Sequence, residues 1–287
     1  MIEEFEAHRV RMFGLAYRML GSAAEAEDVV QDAYLRWSGT EPGGVAAPGA
    51  WLAKVVVNLC LNRLTSARAT RESHVGAWLP EPVPTGELGP LETAEQRDSV
   101  SMAFLVLLER LTPAERAVFV LREAFAYGYR EIAEVLDLSE AGCRQLHHRA
   151  RRRVGERRRF DAPGGRRRLI VERFLEAARS GDLAGLEQVL AADVIAWADG
   201  GGKVSAALRP VLGRAKVIRY VAGIAAGAGE GLDVRHAEVN GQDAIVALYG
   251  GQAVMVLVVD VADGVVVGLR SVLDPGKLSR FGEPPGS

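Results

Sequence analysis

Residues 111–154 read LTPAERAVFVLREAFAYGYREIAEVLDLSEAGCRQLHHRARRRV, and local signals in this stretch mark three successive helices. Thr112-Pro113-Ala114-Glu115 opens the first. Thr112 can cap, Pro113 suits the first helical position because its missing N–H would be unpaired there anyway, and Glu115 can close a capping box. Gly128 precedes a second helix at 129–136, with Ile132, Ala133 and Leu136 as its apolar side. Asp137 and Leu138 form a tight turn, and Ser139 caps the third helix with Glu140 in its first turn.

At about 100° per residue the third helix separates into two faces. Cys143, Leu146, Ala150 and Val154 make an apolar stripe, and Arg144, Gln145, His148, Arg149 and Arg152 lie opposite. That outer face suits a major groove, since Arg and Gln can bond bidentately to base edges. A solvated basic helix end is the plainer reading of such a charge run. The preceding helix and short turn favour a DNA-binding helix-turn-helix.

The whole chain of 287 residues suggests two or three modules. No apolar run reaches the roughly 18 residues of a membrane span, and the mixed-charge start MIEEFEAHRVRMF is not a secretory signal. With only Cys60 and Cys143, a metal site or disulfide framework is not expected, and a cytoplasmic location is. The formal net charge of −2 hides a basic block: residues 141–168 hold eleven Arg against Glu156 and Asp161, a net +9. Such a block attracts phosphate.

The first module, residues 1–70, reads as helical. A helix at 23–37 buries Ala26, Val29, Val30, Ala33 and Trp37 and turns Asp28, Gln31, Asp32 and Leu35 outward. An outward Leu among carboxylates suits a partner surface, although a single exposed Leu is ordinary. After a Gly/Pro-rich loop at 39–49, a helix at 50–65 has Leu52, Val56, Leu59, Cys60 and Leu64 as its core side. Trp51, Lys54, Val55, Asn58 and Asn62 gather on another face, where they could stack on and bond to unpaired bases, or simply serve an interhelix contact.

A proline-rich linker at 71–91 carries Trp78-Leu79-Pro80, and a Trp in such a connector is more often docked than solvated. A long helix at 91–110 leads into the helix-turn-helix. After Pro163-Gly164-Gly165 and three arginines the character changes. Helices are expected at 169–180 and at 183–190 behind an Asp182 cap, extended segments at 194–198 and 204–208, and a helix at 214–226. Strands at 232–239 and 242–249 join through Asn240-Gly241, and strands at 253–261 and 265–273 through Ala262-Asp263-Gly264. This order describes an α+β domain with a curved sheet and a closing antiparallel meander.

Taken together, the chain resembles the extracytoplasmic-function (group IV) sigma factors of bacterial RNA polymerase. Ala26-Glu27-Asp28-Val29-Val30-Gln31-Asp32-Ala33 is similar to the polymerase-binding helix of sigma domain 2. Trp51-Leu52 with Asn58 and Asn62 resembles the helix that reads the melted −10 element, and SEAGCRQLHHRAR at 139–151 the −35 recognition helix of sigma domain 4. The third module resembles the SnoaL-like, nuclear-transport-factor-like fold fused to sigma factors of the SigJ type. Three motifs carry that likeness: Trp78-Leu79-Pro80, Asp199-Gly200-Gly201-Gly202-Lys203, and Asp274-Pro275-Gly276-Lys277-Leu278, the last departing from an Asn-Pro-Asp-Lys-Leu form.

The resemblance implies two all-α sigma domains, the second a helix-turn-helix, then an α+β SnoaL-like domain. Their expected bounds are 1–70, a linker at 71–91, 92–160, and 169–287. It further implies RNA polymerase core and promoter DNA as partners, with Asp28, Gln31, Asp32 and Leu35 on the polymerase. Trp51, Lys54, Asn58 and Asn62 would contact the −10 strand. Arg144, Gln145, His148 and Arg149 would read the −35 groove, with Arg151, Arg152 and Arg153 nearer phosphates. The three motifs would dock linker and third module, Lys203 pairing with a carboxylate, so that the module regulates in cis.

No cofactor, metal, membrane or catalytic role is expected, and His236, Asp233 and Asp243 do not form a convincing acid/base set. One rival is a one-component DNA-binding regulator whose third module senses a small-molecule ligand. The other is a cyclase- or isomerase-type enzyme tethered to a DNA-binding module.

Overall fold

The computed structural model describes residues 2–41, 43–72, 74, 76–89, 91, 94–155, 164–227, 229 and 231–282. Pro90, Pro163 and the arginines at 157–159 lie outside them. The chain forms two compact units: residues 1–73 with 86–157, and residues 74–85 with 158–287. Most of the 71–91 linker therefore belongs with the C-terminal module.

The first unit is helical. α1 (Ile2–Leu20), α2 (Ala23–Ser38) and α3 (Pro48–Glu72) pack through Leu15, Tyr17, Val29, Leu52 and Val56, all at most 1% exposed. Each such buried side chain contributes about 1.5–3 kcal/mol. Gly21 takes a positive φ between α1 and α2, and Ser22 caps α2 by accepting from Glu25 N. α3 extends past the expected end at 65, because nothing in Ser66-Ala67-Arg68 stops a helix.

In place of one long helix at 91–110 there are two short ones, α4 (Ala94–Asp98) and α5 (Met102–Leu108). Serine chemistry explains the break. Ser101 leaves the helical conformation to cap α5, accepting from Phe104 N, and Ser99 Oγ accepts from Arg18 Nε at 3.1 Å. Arg18 is 5% exposed, and its burial lowers its pKa to about 10. Buried Arg116 likewise reaches back to α1, donating to Met19 O and Glu109.

α6 (Pro113–Glu123), α7 (Tyr129–Leu136) and α8 (Glu140–Val154) complete this unit. Thr112 and Glu115 form the reciprocal capping box, Asp137 turns through a left-handed conformation, and Ser139 accepts from Gly142 N. The buried stripe of α8 is Cys143, His147, Ala150 and Val154; Leu146 is only half-buried. Hydropathy favours Leu146 for the core, but position 147 continues the i, i+4, i+7 stripe from Cys143, and the imidazole finds partners there.

In the second unit α9 (Gly164–Ser180) and α10 (Leu183–Val189) precede a six-stranded sheet. Its strands are β1 (Leu190–Asp199), β2 (Val211–Leu212), β3 (Leu232–Val239), β4 (Gln242–Tyr249), β5 (Gln252–Ala262) and β6 (Val265–Val272), in spatial order β2-β1-β6-β5-β4-β3. Strands β3 to β6 form an antiparallel meander, and β1 joins β6 in parallel. Register shifts in the β1–β6, β4–β5 and β5–β6 pairs bend the sheet. Helices α9, α10 and α11 (Arg214–Ala226) build a core on one face with Phe174, Leu186, Val194, Val217, Ile245 and Val259.

The expected extended segment at 204–208 is instead irregular, bent at Val204 and Leu208, and follows a turn at 201–203. Gly200 O accepts from both Lys203 N and Val204 N, which coils the chain back, and the short strand forms after Pro210. On β5 and β6 Asp260 pairs with Arg270, while Gln242 donates to Asp260 and Arg270 lies over the Trp197 ring. Burial lowers Arg270 to about 10.

Candidate nucleic-acid interface and linker clasp

On α8 the side chains of Arg144, Gln145, His148, Arg149, Arg151 and Arg152 are all exposed. Arg144 is also restrained: it donates to Glu140 at 2.7 Å, and its guanidinium lies 5.3 Å from the centre of the Tyr129 ring. Arg153 behaves differently. It donates at 2.6 Å to Glu115, a buried carboxylate that also accepts from Thr112 N and Oγ1. Arg153 therefore fastens the end of α8 to the cap of α6, a tie that the run of arginines in the sequence does not reveal.

On α2, Asp28, Gln31 and Leu35 are exposed and Asp32 is half-buried. Both carboxylates meet Arg63 of α3, Asp28 at 3.3 Å and Asp32 at 3.1 Å. Arg63 thereby sets the spacing of this acidic edge; nothing in its local sequence marks it out. On α3, Trp51 is half-buried with its ring 5.7 Å from that of Trp37, so it packs within its own module. Lys54 donates to Asp137 Oδ1 at 2.6 Å and to Glu134 O at 3.1 Å, both in the helix-turn-helix. Asn58 is half-buried and Asn62 exposed.

The three motifs of the C-terminal unit converge on Asp199, which is fully buried at the end of β1. Its carboxylate accepts from Leu79 N at 2.8 Å, Lys277 Nζ at 2.8 Å and Gly201 N at 3.0 Å, and meets His74 Nε2 at 2.8 Å. Burial alone would raise the Asp199 pKa. The charge and hydrogen bond of Lys277, with the Leu79 amide and His74, instead hold it below the usual carboxylate range. Lys277 also donates to Leu79 O at 2.6 Å, and its ammonium lies 4.9 Å from the centre of the Trp78 ring. Lys203 pairs with the Asp274 carboxylate at 3.0 Å.

Close packing requires the glycines of this turn. A Cβ on Gly200 would strike Val204 O, and one on Gly201, at φ +61°, would strike the Asp274 carboxylate. Pro275 opens a short 3-10 turn after Asp274, with Gly202 exposed and Leu278 buried at 3%.

A second grip holds the linker further along. Val83 N donates to Asn240 Oδ1, Asn240 N donates back to Val83 O, both at 3.0 Å, and Gly241 N donates to Thr85 Oγ1. Between the grips, Leu79, Pro80, Glu81, Pro82 and Val83 are buried. Prolines at alternate positions remove amide donors that the sheet would otherwise have to satisfy and hold the run extended. His74 and Asn240 carry no role in the motif reading.

Sigma-70 region 2 matches residues 5–70 and sigma-70 region 4 matches residues 101–154, so the helical unit is that of a sigma-70 protein. A full-length relative is 38% identical, covering 97% of this chain and 93% of its own: the extracytoplasmic-function RNA polymerase sigma factor SigJ of Mycobacterium tuberculosis. The crystal structure of Mycobacterium tuberculosis SigJ superposes with a TM-score of 0.77 at 34% identity, covering 98% of this chain and 99% of that one. The probable sigma factor SigI of the same organism is 38% identical over 65% of both chains. The chain belongs to the extracytoplasmic-function sigma factors of RNA polymerase, and its C-terminal module is an α+β domain.

Proposed function

We propose that this sigma factor directs core RNA polymerase to its promoters through α3 and α8, and that the C-terminal module tunes initiation by holding the linker between them. The observation that carries the regulatory part is the Asp199 clasp, where a buried carboxylate spends its acceptors on the linker amide of Leu79 and on the Lys277 that also binds Leu79 O. Residues 71–100 join the two matched sigma regions. A clamp on 78–85 shortens the free tether between them and so sets the separations they can reach.

In this reading Asp28, Gln31, Asp32 and Leu35 meet the polymerase. Lys54, Asn58 and Asn62, beside Trp51, serve the opened −10 strand. Lys54 must leave Asp137 to do so, and an exposed ion pair of this kind costs about 1 kcal/mol or less to break. Arg144, Gln145, His148 and Arg149 read the −35 groove, while Arg151 and Arg152 bind phosphate. The protein acts in the cytoplasm, where polymerase and promoters are.

The C-terminal module acts as a regulator and not as a catalyst. His236 and Asp243 face each other at 3.2 Å, but Asp233 is paired with Arg235, so the three polar candidates do not converge. Among the described residues no cluster suited to a metal ion occurs, and no helix is long and apolar enough to cross a membrane.

Co-purification with core polymerase, and run-off transcription that depends on the added chain, test the first part. For the second, Trp78→Ala and Lys277→Ala should each retain core-dependent initiation while shifting its rate at a given promoter at least threefold. Unchanged rates in both variants would contradict the clasp, and initiation without core polymerase dependence would favour a one-component regulator.

A further inference from the structure

His147 lies in the apolar stripe of α8 at 7% exposure, where an aliphatic residue would bury more apolar surface. Its ring joins both other helices of the motif: Nε2 lies 2.8 Å from Glu123 Oε1 at the end of α6, and Nδ1 lies 2.9 Å from Tyr129 Oη at the start of α7. The ring also packs on Phe119 and Tyr129, with centroids 6.0 and 5.8 Å away.

Hydrogen-bond accounting assigns the protons for the neutral ring. An ionised Glu123 only accepts, so Nε2 carries the hydrogen; Nδ1 is then an acceptor and takes the Tyr129 hydroxyl proton. Both bonds are directional, so they fix the rotation of α8 about its axis more tightly than an aliphatic contact could. The same Tyr129 ring lies under two guanidiniums, Arg122 at 5.0 Å and Arg144 at 5.3 Å. Arg144 is also held by Glu140. A continuous path thus runs from the buried imidazole through the tyrosine to an arginine of the DNA-facing surface.

We propose that Glu123, His147 and Tyr129 are positioning residues that aim Arg144 at its base pair and so help determine which −35 sequence the protein prefers. This rests on the reading of α8 as the base-reading helix. The tyrosine ring is the platform, and its hydroxyl bond to His147 sets where the platform sits. Restricting Arg144 before binding reduces the rotamer entropy lost on the DNA, so the gain appears as base discrimination more than as bulk affinity.

The test uses the full-length protein and a library of duplex oligonucleotides with a randomised core, selected by binding and sequenced. Tyr129→Phe keeps the ring and removes only the hydroxyl; His147→Gln removes the imidazole; Arg144→Ala and Arg149→Ala mark the positions those arginines read. Tyr129→Phe should lower selectivity roughly threefold to tenfold at the base pair that Arg144→Ala relaxes. It should leave the Arg149 position, the affinity for scrambled duplex and its salt dependence unchanged. A uniform fall in affinity for all sequences would show a merely structural role and overturn the proposal. So would selectivity within twofold of the parent in Tyr129→Phe while Arg149→Ala still loses its position. If neither arginine variant changes the selected sequences, the base-reading assignment of α8 itself fails. Should His147→Gln fail to fold, Tyr129→Phe alone decides.

Discussion

Arg152 and Arg153 are neighbours in one basic run, yet their surroundings give them different work. Arg152 points into solvent, where its charge can displace a condensed counterion on DNA. Arg153 serves Glu115, which is 2% exposed and already closes the cap of α6. Removing Arg153 leaves a buried carboxylate short of its cationic partner. Arg153→Ala should therefore lower stability by about 1–3 kcal/mol with little change in the salt dependence of DNA binding. Arg152→Ala should leave stability intact and reduce that salt slope by about one. Denaturant titration beside binding at several salt concentrations separates the two.

At the scale of elements, caps are legible in sequence and register is not. Thr112, Glu115 and Ser139 act within three residues of themselves, so α6 and α8 can be placed before any tertiary contact is known. The Asn240-Gly241 hairpin is equally local. By contrast, Ser99 and Ser101 break a helix that hydropathy would continue, because one of them is needed by Arg18, 81 positions away. His147 in the α8 stripe depends likewise on Glu123 and Tyr129, which no helical wheel displays.

The clasp motifs could be named from a family likeness, but their geometry could not. Lys277 meets Trp78 while Lys203 turns to Asp274, and His74 joins unannounced. The clasp also predicts a pH response. The Asp199 pKa is depressed in the folded state, so the stability it supplies is complete above the ordinary carboxylate pKa of about 3.9 and drains away as pH falls through the folded value. Protection of the Leu79 amide from hydrogen exchange, compared at fixed denaturant, should fall more steeply below about pH 4 in the parent than in Asp199→Asn. Identical profiles would remove Asp199 as its cause.

On the scale of the molecule, α3 and α8 both lie in the helical unit, while residues 74–85 of the linker belong to the other unit. Composition points at the basic block around α8 and says nothing of the clasp, since the Asp199 charge is matched inside the fold. The C-terminal module binds the linker by backbone groups as well as by side chains. The Leu79 and Val83 amides and carbonyls are engaged, so the grip tolerates many side-chain changes in the linker but depends on Asp199, Lys277 and Asn240.

The most direct measurement is the map of transcription start sites produced in vitro by core polymerase with the full-length chain and with Lys277→Ala on the same genomic template. The parent chain and Lys277→Ala should both initiate only with core polymerase present, and Lys277→Ala should redistribute initiation among promoters. Start-site maps that coincide in position and relative strength, from a variant shown by hydrogen exchange to have lost protection at Leu79, would contradict control through the linker.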